Sequence, residues 1–96
     1  MMVLITYDVE TVTSAGRKRL RRVAKECQNY GVRVQNTVFE CVLTQAQTVL
    51  LKSILAEIID NTTDTIRLYY LGNKWSGKID VLGVNNGIDV TSELII

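Results

Sequence analysis

The chain has 96 residues, of which 47% are hydrophobic and 22% are charged, as is typical of one globular domain and not of a disordered chain. It contains no histidine, which excludes the Ser-His-Asp and Cys-His catalytic systems and every zinc site with a histidine ligand. No apolar run reaches the roughly 20 residues of a membrane helix, and the first residues lack the basic region and cleavage site of a signal peptide. We therefore expect a cytoplasmic protein with no membrane partner, in which Cys27 and Cys41 are reduced.

The net charge of +1 hides an uneven distribution of charge along the chain. Seven of the eleven basic residues lie between Arg17 and Arg33, where Glu26 is the single acid, so this segment carries a charge of +6. The rest of the chain carries −5. A positive field concentrated on one element predicts an acidic partner for that element.

The first predicted element is a short buried strand. Residues 3–7 are rich in apolar, β-branched and aromatic types, which indicates a central strand. The strand ends at Asp8. A carboxylate at that position either forms a turn or serves as a placed ligand, and the local pattern favours neither.

The second predicted element is a basic helix. Apolar residues recur at helical spacing through residues 15–30, with Thr13 or Ser14 as N-cap and Gly31 as the residue that ends the helix. Its polar side carries cations at i, i+3 and i+4 spacings, which destabilise a helix when no acids compensate them. We interpret this side as an anion-binding face, in preference to an ordinary solvated one. Its cations are Lys18, Arg21, Arg22 and Lys25.

The middle of the chain predicts further strands and a second helix. Residues 32–43 are strongly β-forming, and they form either one long strand or a tight hairpin with a break near Asn36. Thr44 and Gln47 have the spacing of a capping box, which begins a helix that runs to about Asp60. Its apolar stripe is formed by Ala46, Val49, Leu50, Ile54, Leu55, Ile58 and Ile59. Residues 65–71 and 78–82 predict two more strands.

This order of elements is the βαββαβ order of an α+β, ferredoxin-like sandwich. Residues 1–83 would form the domain and residues 84–96 a C-terminal tail. Both helices would cover one face of the sheet, which leaves Phe39 and Tyr69 on an uncovered face that needs a lid. An extra C-terminal strand and the tail, packed on a partner subunit, would supply that lid, so we expect a homodimer.

Because the chain has no histidine, any catalysis must use other groups, such as carboxylates. Asp8 is the most informative of the acids, because it ends a buried strand. One carboxylate holds hydrated magnesium poorly, but a two-fold axis near the end of the first strand would bring two Asp8 side chains together. That pair would bind Mg²⁺ or Mn²⁺ and support phosphodiester hydrolysis. We interpret Glu10 and Glu40 as structural or surface acids, and Tyr7 and Phe39 as packing residues.

Three stretches resemble the CRISPR-associated protein Cas2 family. They are ITYDV at residues 5–9, KRLRRVAK at residues 18–25 and YGVRVQNTVFEC at residues 30–41. The resemblance covers nearly the whole chain. It implies a ferredoxin-like homodimer that acts in CRISPR adaptation, bridges the companion integrase (Cas1) and binds double-stranded DNA, with RNA as another possible substrate.

The resemblance also implies a magnesium-dependent endonuclease in which Asp8 is the catalytic residue and metal ligand. Tyr7 and Phe39 are then supporting residues. The charge pattern and the resemblance together predict six nucleic-acid-binding residues: Lys18, Arg19, Arg21, Arg22, Lys25 and Arg33. Two alternatives remain open, a non-catalytic DNA-binding scaffold and a ribonuclease toxin related to the virulence-associated VapD group.

Overall fold

The computed structural model describes residues 1–71 and 78–84. Two helices and five strands alternate in the order expected of the α+β, ferredoxin-like class, which is confirmed. The elements are β1 (Met2–Asp8), α1 (Ser14–Gln28), β2 (Gly31–Gln35), β3 (Val38–Val42), α2 (Gln45–Ile58), β4 (Thr65–Leu71) and β5 (Ile79–Gly83).

The five strands form one antiparallel sheet in the order β2-β3-β1-β4-β5. The central strand β1 turns alternate side chains, Val3, Ile5 and Tyr7, into the core formed with the two helices. The intervening residues Leu4 and Thr6 face the other side, which the helices leave uncovered. Because successive side chains of a strand point to opposite faces, each strand contributes residues to both sides.

The last strand of the described residues pairs within its own chain. β5 runs antiparallel to β4, with Arg67 opposite Val81 and Tyr69 opposite Ile79. Packing of the C-terminal strand on a partner subunit stays a prediction. The predicted tail lies outside the described residues, apart from Val84.

The segment between the two helices is a hairpin, which decides the alternative left open near Asn36. β2 and β3 pair antiparallel, with a register shift between Arg33 and Gln35. No residue other than glycine has a positive φ in the described part of the chain, so the Asn36 turn needs no left-handed backbone.

Gly31 begins β2 and does not end α1, so its prediction as a helix cap was wrong. α1 ends at Gln28, and its C-cap, Asn29, has right-handed backbone angles. The glycine is required for a different reason, because a Cβ at position 31 would collide with the carbonyl oxygen of Glu40 and the Sγ of Cys41. Close pairing of β2 with β3 therefore depends on the missing side chain.

The placement of Phe39 on the uncovered face was also wrong. Phe39 is fully buried in the core beneath the helices, because it lies opposite the inward-facing Ile5 in the register of β1 and β3. Tyr69 does lie on the uncovered face, where it is half-buried between Leu4 of β1 and Ile79 of β5. The pairing of β1 with β3 therefore places Phe39 on the opposite face of the sheet from Tyr69, although the sequence analysis had put both on one face.

The second helix begins as predicted and buries part of its predicted stripe. The Thr44 hydroxyl accepts a hydrogen bond from the Gln47 backbone N–H at 3.1 Å, and the Gln47 side-chain oxygen accepts one from the Thr44 N–H at 2.9 Å. Val49 and Leu50 are exposed, whereas Leu51 is buried. Leu55 and Ile58 are buried as predicted, so the prediction was wrong only for the first half of the helix, where the buried side lies about one position away.

Both cysteines are free and buried, as expected. Burial raises the pKa of the Cys27 thiol to about 12 and that of Cys41 to about 11, so neither is a reactive thiolate near neutral pH. Neither of the helices in the described residues is long and apolar enough to cross a membrane.

Candidate nucleic-acid interface and Asp8 cleft

A basic groove lies between α1 and the β2–β3 hairpin, with a cavity volume of about 720 Å³. Arg21 and Lys25 are four residues apart and therefore share one side of α1, and Arg33 of β2 faces them across the groove. The groove brings together three of the six cations predicted to bind nucleic acid. The other lining residues are Tyr7, Leu20, Ala24, Gln28, Asn36 and Thr37.

Two buried aromatic rings hold Arg33 at the edge of this groove. The guanidinium carbon of Arg33 lies 5.3 Å from the centroid of the Phe39 ring, a cation–π geometry. Phe39 stacks on Tyr7 with ring centroids 6.0 Å apart, and the Tyr7 hydroxyl donates a hydrogen bond to the Asn36 carbonyl oxygen at 3.0 Å. Tyr7 and Phe39 thus pack, as the sequence predicts, and they position a cation.

Burial raises the pKa of the Tyr7 hydroxyl, although the nearby Arg33 partly opposes that shift. Tyr7 is therefore a neutral hydrogen-bond donor at physiological pH. Phe39 is too deeply buried for base stacking.

The other three predicted cations lie elsewhere on α1. Lys18 and Arg22 are exposed to solvent and do not line the groove. Arg19 is only 17% exposed: its Nε donates to the Asp64 carboxylate at 2.8 Å, and its terminal nitrogen lies 3.5 Å from the Glu10 carboxylate. Arg19 has a structural role in these contacts that its position in a basic segment does not reveal.

Asp64 is a buried carboxylate that sequence analysis missed. It has no exposed surface, and besides Arg19 it accepts hydrogen bonds from the backbone N–H groups of Glu10 and Asp60 and from the Thr63 hydroxyl. Burial alone would raise its pKa, but the hydrogen bonds from Arg19 and the two N–H groups lower it below the usual value. Its position in a polar connection before a strand is the only sequence signal, and that signal is shared by many surface acids.

The interpretation of Glu10 as a structural acid is confirmed. Its carboxylate accepts hydrogen bonds from the backbone N–H and the hydroxyl of Thr13, at 2.6 and 2.9 Å. Thr13 is the N-cap of α1 and accepts in turn from the N–H of Gly16. Glu40 is an exposed acid on the strand surface, as the sequence also predicts.

Asp8 lies in a second, smaller cleft at the end of β1, with a volume of about 270 Å³. Its side chain is exposed on the uncovered face, opposite Thr65 of β4. The cleft is polar, and its other lining residues are Thr6, Tyr7, Thr37, Thr65 and Arg67. Carboxylate and hydroxyl oxygens are hard donors of the kind that Mg²⁺ prefers.

Among the residues that the structure describes, Asp8 is the one carboxylate that lines this cleft. Within residues 1–71 and 78–84, no three acidic or cysteine side chains are grouped so that they could hold a metal ion. The Asp8 carboxylate therefore suits Mg²⁺ in type, and the described part of the chain brings no second carboxylate to the cleft.

The groove and the cleft adjoin each other. Tyr7 and Thr37 line both cavities, and the Tyr7 backbone N–H donates to the Thr37 carbonyl oxygen at 3.1 Å. The two cavities therefore meet beside Tyr7 and Thr37, although the groove lies on the helix side of the sheet and Asp8 on its uncovered face.

Comparison with known proteins identifies the family to which this chain is related. The family model described as CRISPR associated protein Cas2 matches residues 1–79. The chain belongs to the Cas2 family. It is 50% identical to the CRISPR-associated endonuclease Cas2 of Halalkalibacterium halodurans over 95 residues, which cover 99% of each chain.

Two further members of the Cas2 family extend this result. The chain is 50% identical to the CRISPR-associated endoribonuclease Cas2 of Chlorobaculum tepidum over 96 residues, which span both chains completely. It is similar to the crystal structure of Streptococcus pyogenes Cas2 at pH 6.5, with a TM-score of 0.72 and 63% identity over 78% of this chain and 90% of that one. The family resemblance read from the three sequence stretches is thus confirmed.

Proposed function

We propose that this chain is a CRISPR adaptation protein that binds double-stranded DNA as a homodimer and hydrolyses phosphodiester bonds through a pair of Asp8 residues with Mg²⁺ or Mn²⁺. The observation that carries this proposal is the junction between the basic groove and the Asp8 cleft, which Tyr7 and Thr37 both line. The names of related proteins, endonuclease and endoribonuclease, support a nuclease.

The groove supplies the binding surface in this proposal. Arg21, Lys25 and Arg33 line it from two sides, and cations so arranged contact the phosphates of a nucleic acid. Lys18 and Arg22, exposed on the same helix, extend the positive field toward solvent. Phosphate contacts carry little sequence information, so we expect weak sequence preference.

The uncovered face of the sheet supports a homodimer. Val32 and Val42 are 69% and 68% exposed on this face, and Met2 and Leu71 are exposed beside Val42. Apolar residues gathered on one face favour a protein partner. A second copy would cover this face and bring a second Asp8. We also propose the companion integrase (Cas1) as a partner, and this proposal rests on the family resemblance alone.

Asp8 and the groove cations have different roles in the proposed reaction. Asp8 of each copy would hold the ion, which supplies a Lewis acid for phosphodiester hydrolysis when it is bound. The groove cations hold the polyanion so that one phosphodiester lies in the cleft. Hydrolysis joins a water oxygen to phosphorus, breaks the bond to one bridging oxygen, and transfers a water proton to that leaving oxygen.

The test compares Asp8→Asn with Glu40→Gln, a control that neutralises another exposed acid of the uncovered face. Purified proteins are incubated with labelled duplex DNA and with labelled RNA, in Mg²⁺ and in EDTA. We expect Mg²⁺-dependent cleavage by the wild type and by Glu40→Gln, and none by Asp8→Asn. Duplex binding in EDTA should be retained by all three proteins.

A second candidate function is a non-catalytic DNA-binding scaffold, and it is favoured by the single carboxylate that the described residues place in the cleft. Absence of metal-dependent cleavage by the wild type, with duplex binding intact, would reject the nuclease and leave this scaffold. Cleavage of RNA alone would keep the nuclease and change its substrate.

A further inference from the structure

Arg67 shares the cleft with Asp8, although no sequence pattern singled it out. It lies on β4 opposite Thr6 of β1, two pairs away from the facing residues Asp8 and Thr65. All four side chains lie on the uncovered face, because the residues between them, Tyr7 and Ile66, are buried. Diagonal neighbours in a sheet have their Cα atoms about 7–8 Å apart, so the long Arg67 side chain reaches a group bound at Asp8.

Arg67 has an unused donor in this cleft. Its Nε is buried and has no hydrogen-bond partner, and none of the ion pairs among the described residues involves Arg67. A buried donor without a partner is costly, and few such groups occur in native proteins. Because Arg67 lines the polar cleft, a small rotation of its side chain would turn this unpaired donor toward a ligand bound there.

The chemistry of the cleft identifies the class of that ligand. The guanidinium offers several N–H donors in a fixed fork that matches carboxylate or phosphate oxygens. The threonine hydroxyls beside it can donate further hydrogen bonds to the same oxygens. They belong to Thr6, Thr37 and Thr65.

We infer that Arg67 is a phosphate-binding residue of the Asp8 cleft, where its guanidinium donates to a non-bridging oxygen of a nucleic-acid phosphodiester. The cleft adjoins the basic groove through Tyr7 and Thr37, so a strand held in the groove can deliver a phosphate to Arg67. This inference deepens the proposed function and rests on it for the substrate. Asp8 binds the ion in that scheme, whereas Arg67 neutralises charge that accumulates on the phosphate during attack.

The first test observes the Arg67 Nε–H resonance of the wild-type protein by ¹H–¹⁵N NMR in EDTA, so that it requires neither cleavage nor a variant. The probe is the dinucleotide thymidylyl-thymidine, with inorganic phosphate in a parallel titration. We expect a saturable shift of the Arg67 resonance with the dinucleotide. The inference would be overturned if the dinucleotide shifted the Arg33 resonance and not that of Arg67. It would also be overturned if inorganic phosphate shifted the Arg67 resonance and the dinucleotide did not.

The second test measures single-turnover cleavage of duplex DNA in Mg²⁺ by Arg67→Gln and Arg67→Lys, with Tyr69→Phe as a control from the same face of β4. Loss of a donor to developing negative charge lowers a rate by about 100-fold or more, so we expect this loss for Arg67→Gln and a smaller one for Arg67→Lys. Tyr69→Phe should cleave normally. An Arg67→Gln protein that cleaves normally would overturn the inference. So would an Arg67→Gln protein that is monomeric where the wild type is a dimer, if the Arg67 resonance of the wild type also does not shift with the dinucleotide.

The two tests separate the two proposals. Failure of the wild type to cleave, together with a shift of the Arg67 resonance, rejects the nuclease and supports the phosphate site. Normal Mg²⁺-dependent cleavage by both the wild type and Arg67→Gln, without a shift of that resonance, supports the nuclease and rejects the phosphate site.

Discussion

Replacing Lys25 and Arg33 with glutamine removes two charges that line the basic groove from opposite sides. Lys25 lies on the exposed side of α1 and Arg33 lies on β2 above the Phe39 ring. If each contacts one phosphate, the double variant loses two electrostatic contacts in each groove. The hydrogen bonds that shape the groove, such as that from Tyr7 to Asn36, remain.

The expected magnitude follows from counterion release. Each phosphate contact contributes about 0.9 to the slope of log affinity against log salt concentration, so the double variant should have a slope about 1.8 less steep per groove. Between about 50 and about 200 mM salt, the wild type should therefore lose roughly 12-fold more affinity than the double variant does.

The assay is fluorescence anisotropy of a labelled DNA duplex, titrated with protein in EDTA at several salt concentrations. Lys25→Gln alone and Lys78→Gln form a matched pair, since each removes one exposed lysine charge, but Lys78 lies just before β5 and does not line the groove. We expect only the first of these to change the slope. Equal slopes for the wild type and the double variant would refute phosphate binding by this groove.

Three further predictions concern other parts of the molecule. Asp64→Asn should lower the free energy of unfolding at neutral pH by about 3 kcal/mol, measured by urea denaturation, because a buried charge pair loses one partner. Since the folded-state pKa of Asp64 is lowered, its stabilisation is present above the unfolded value of about 4 and is lost as the pH falls below it; the variant should show a weaker loss of stability in acid. Thr44→Ala breaks the capping box of α2 and should cost about 1 kcal/mol in the same assay, whereas unchanged stability would mean that the cap contributes nothing. Lys18→Glu with Arg22→Glu should weaken duplex binding at moderate salt and leave the homodimer intact in light scattering; an unchanged salt slope would show that neither residue contacts phosphate.

Local patterns were sufficient for much of the fold. The helical spacing of α1, the capping box at Thr44 and the β-forming runs each depend on residues within a few positions of one another, and such interactions act before any tertiary contact forms. The concentration of positive charge between Arg17 and Arg33 is likewise a property of the sequence alone. These features were enough to predict the α+β, ferredoxin-like class and an anion-binding helix.

Strand register was beyond the reach of those patterns. A shift of one residue moves every side chain of a strand to the other face, and Phe39 shows the consequence, because its pairing with Ile5 turns it into the core. The same register directs Arg33 over the Phe39 ring and toward α1. The sequence predicts Arg33 as a binding residue through a family resemblance, but its partners in the groove depend on the hairpin.

Pairs of distant residues depended most on the tertiary structure. Arg19 and Asp64 are 45 positions apart, yet their ion pair is 2.8 Å long, and this pairing distinguishes Arg19 from the other cations of α1. Arg67 joins Asp8 only because β4 pairs with β1 in the observed register. The sequence alone therefore determined which elements form and which helix carries the positive charge, since both depend on near neighbours. Tertiary structure decided which charges are paired, which line the groove and which donor is left for a ligand, because those outcomes require strands and helices to meet in one particular alignment.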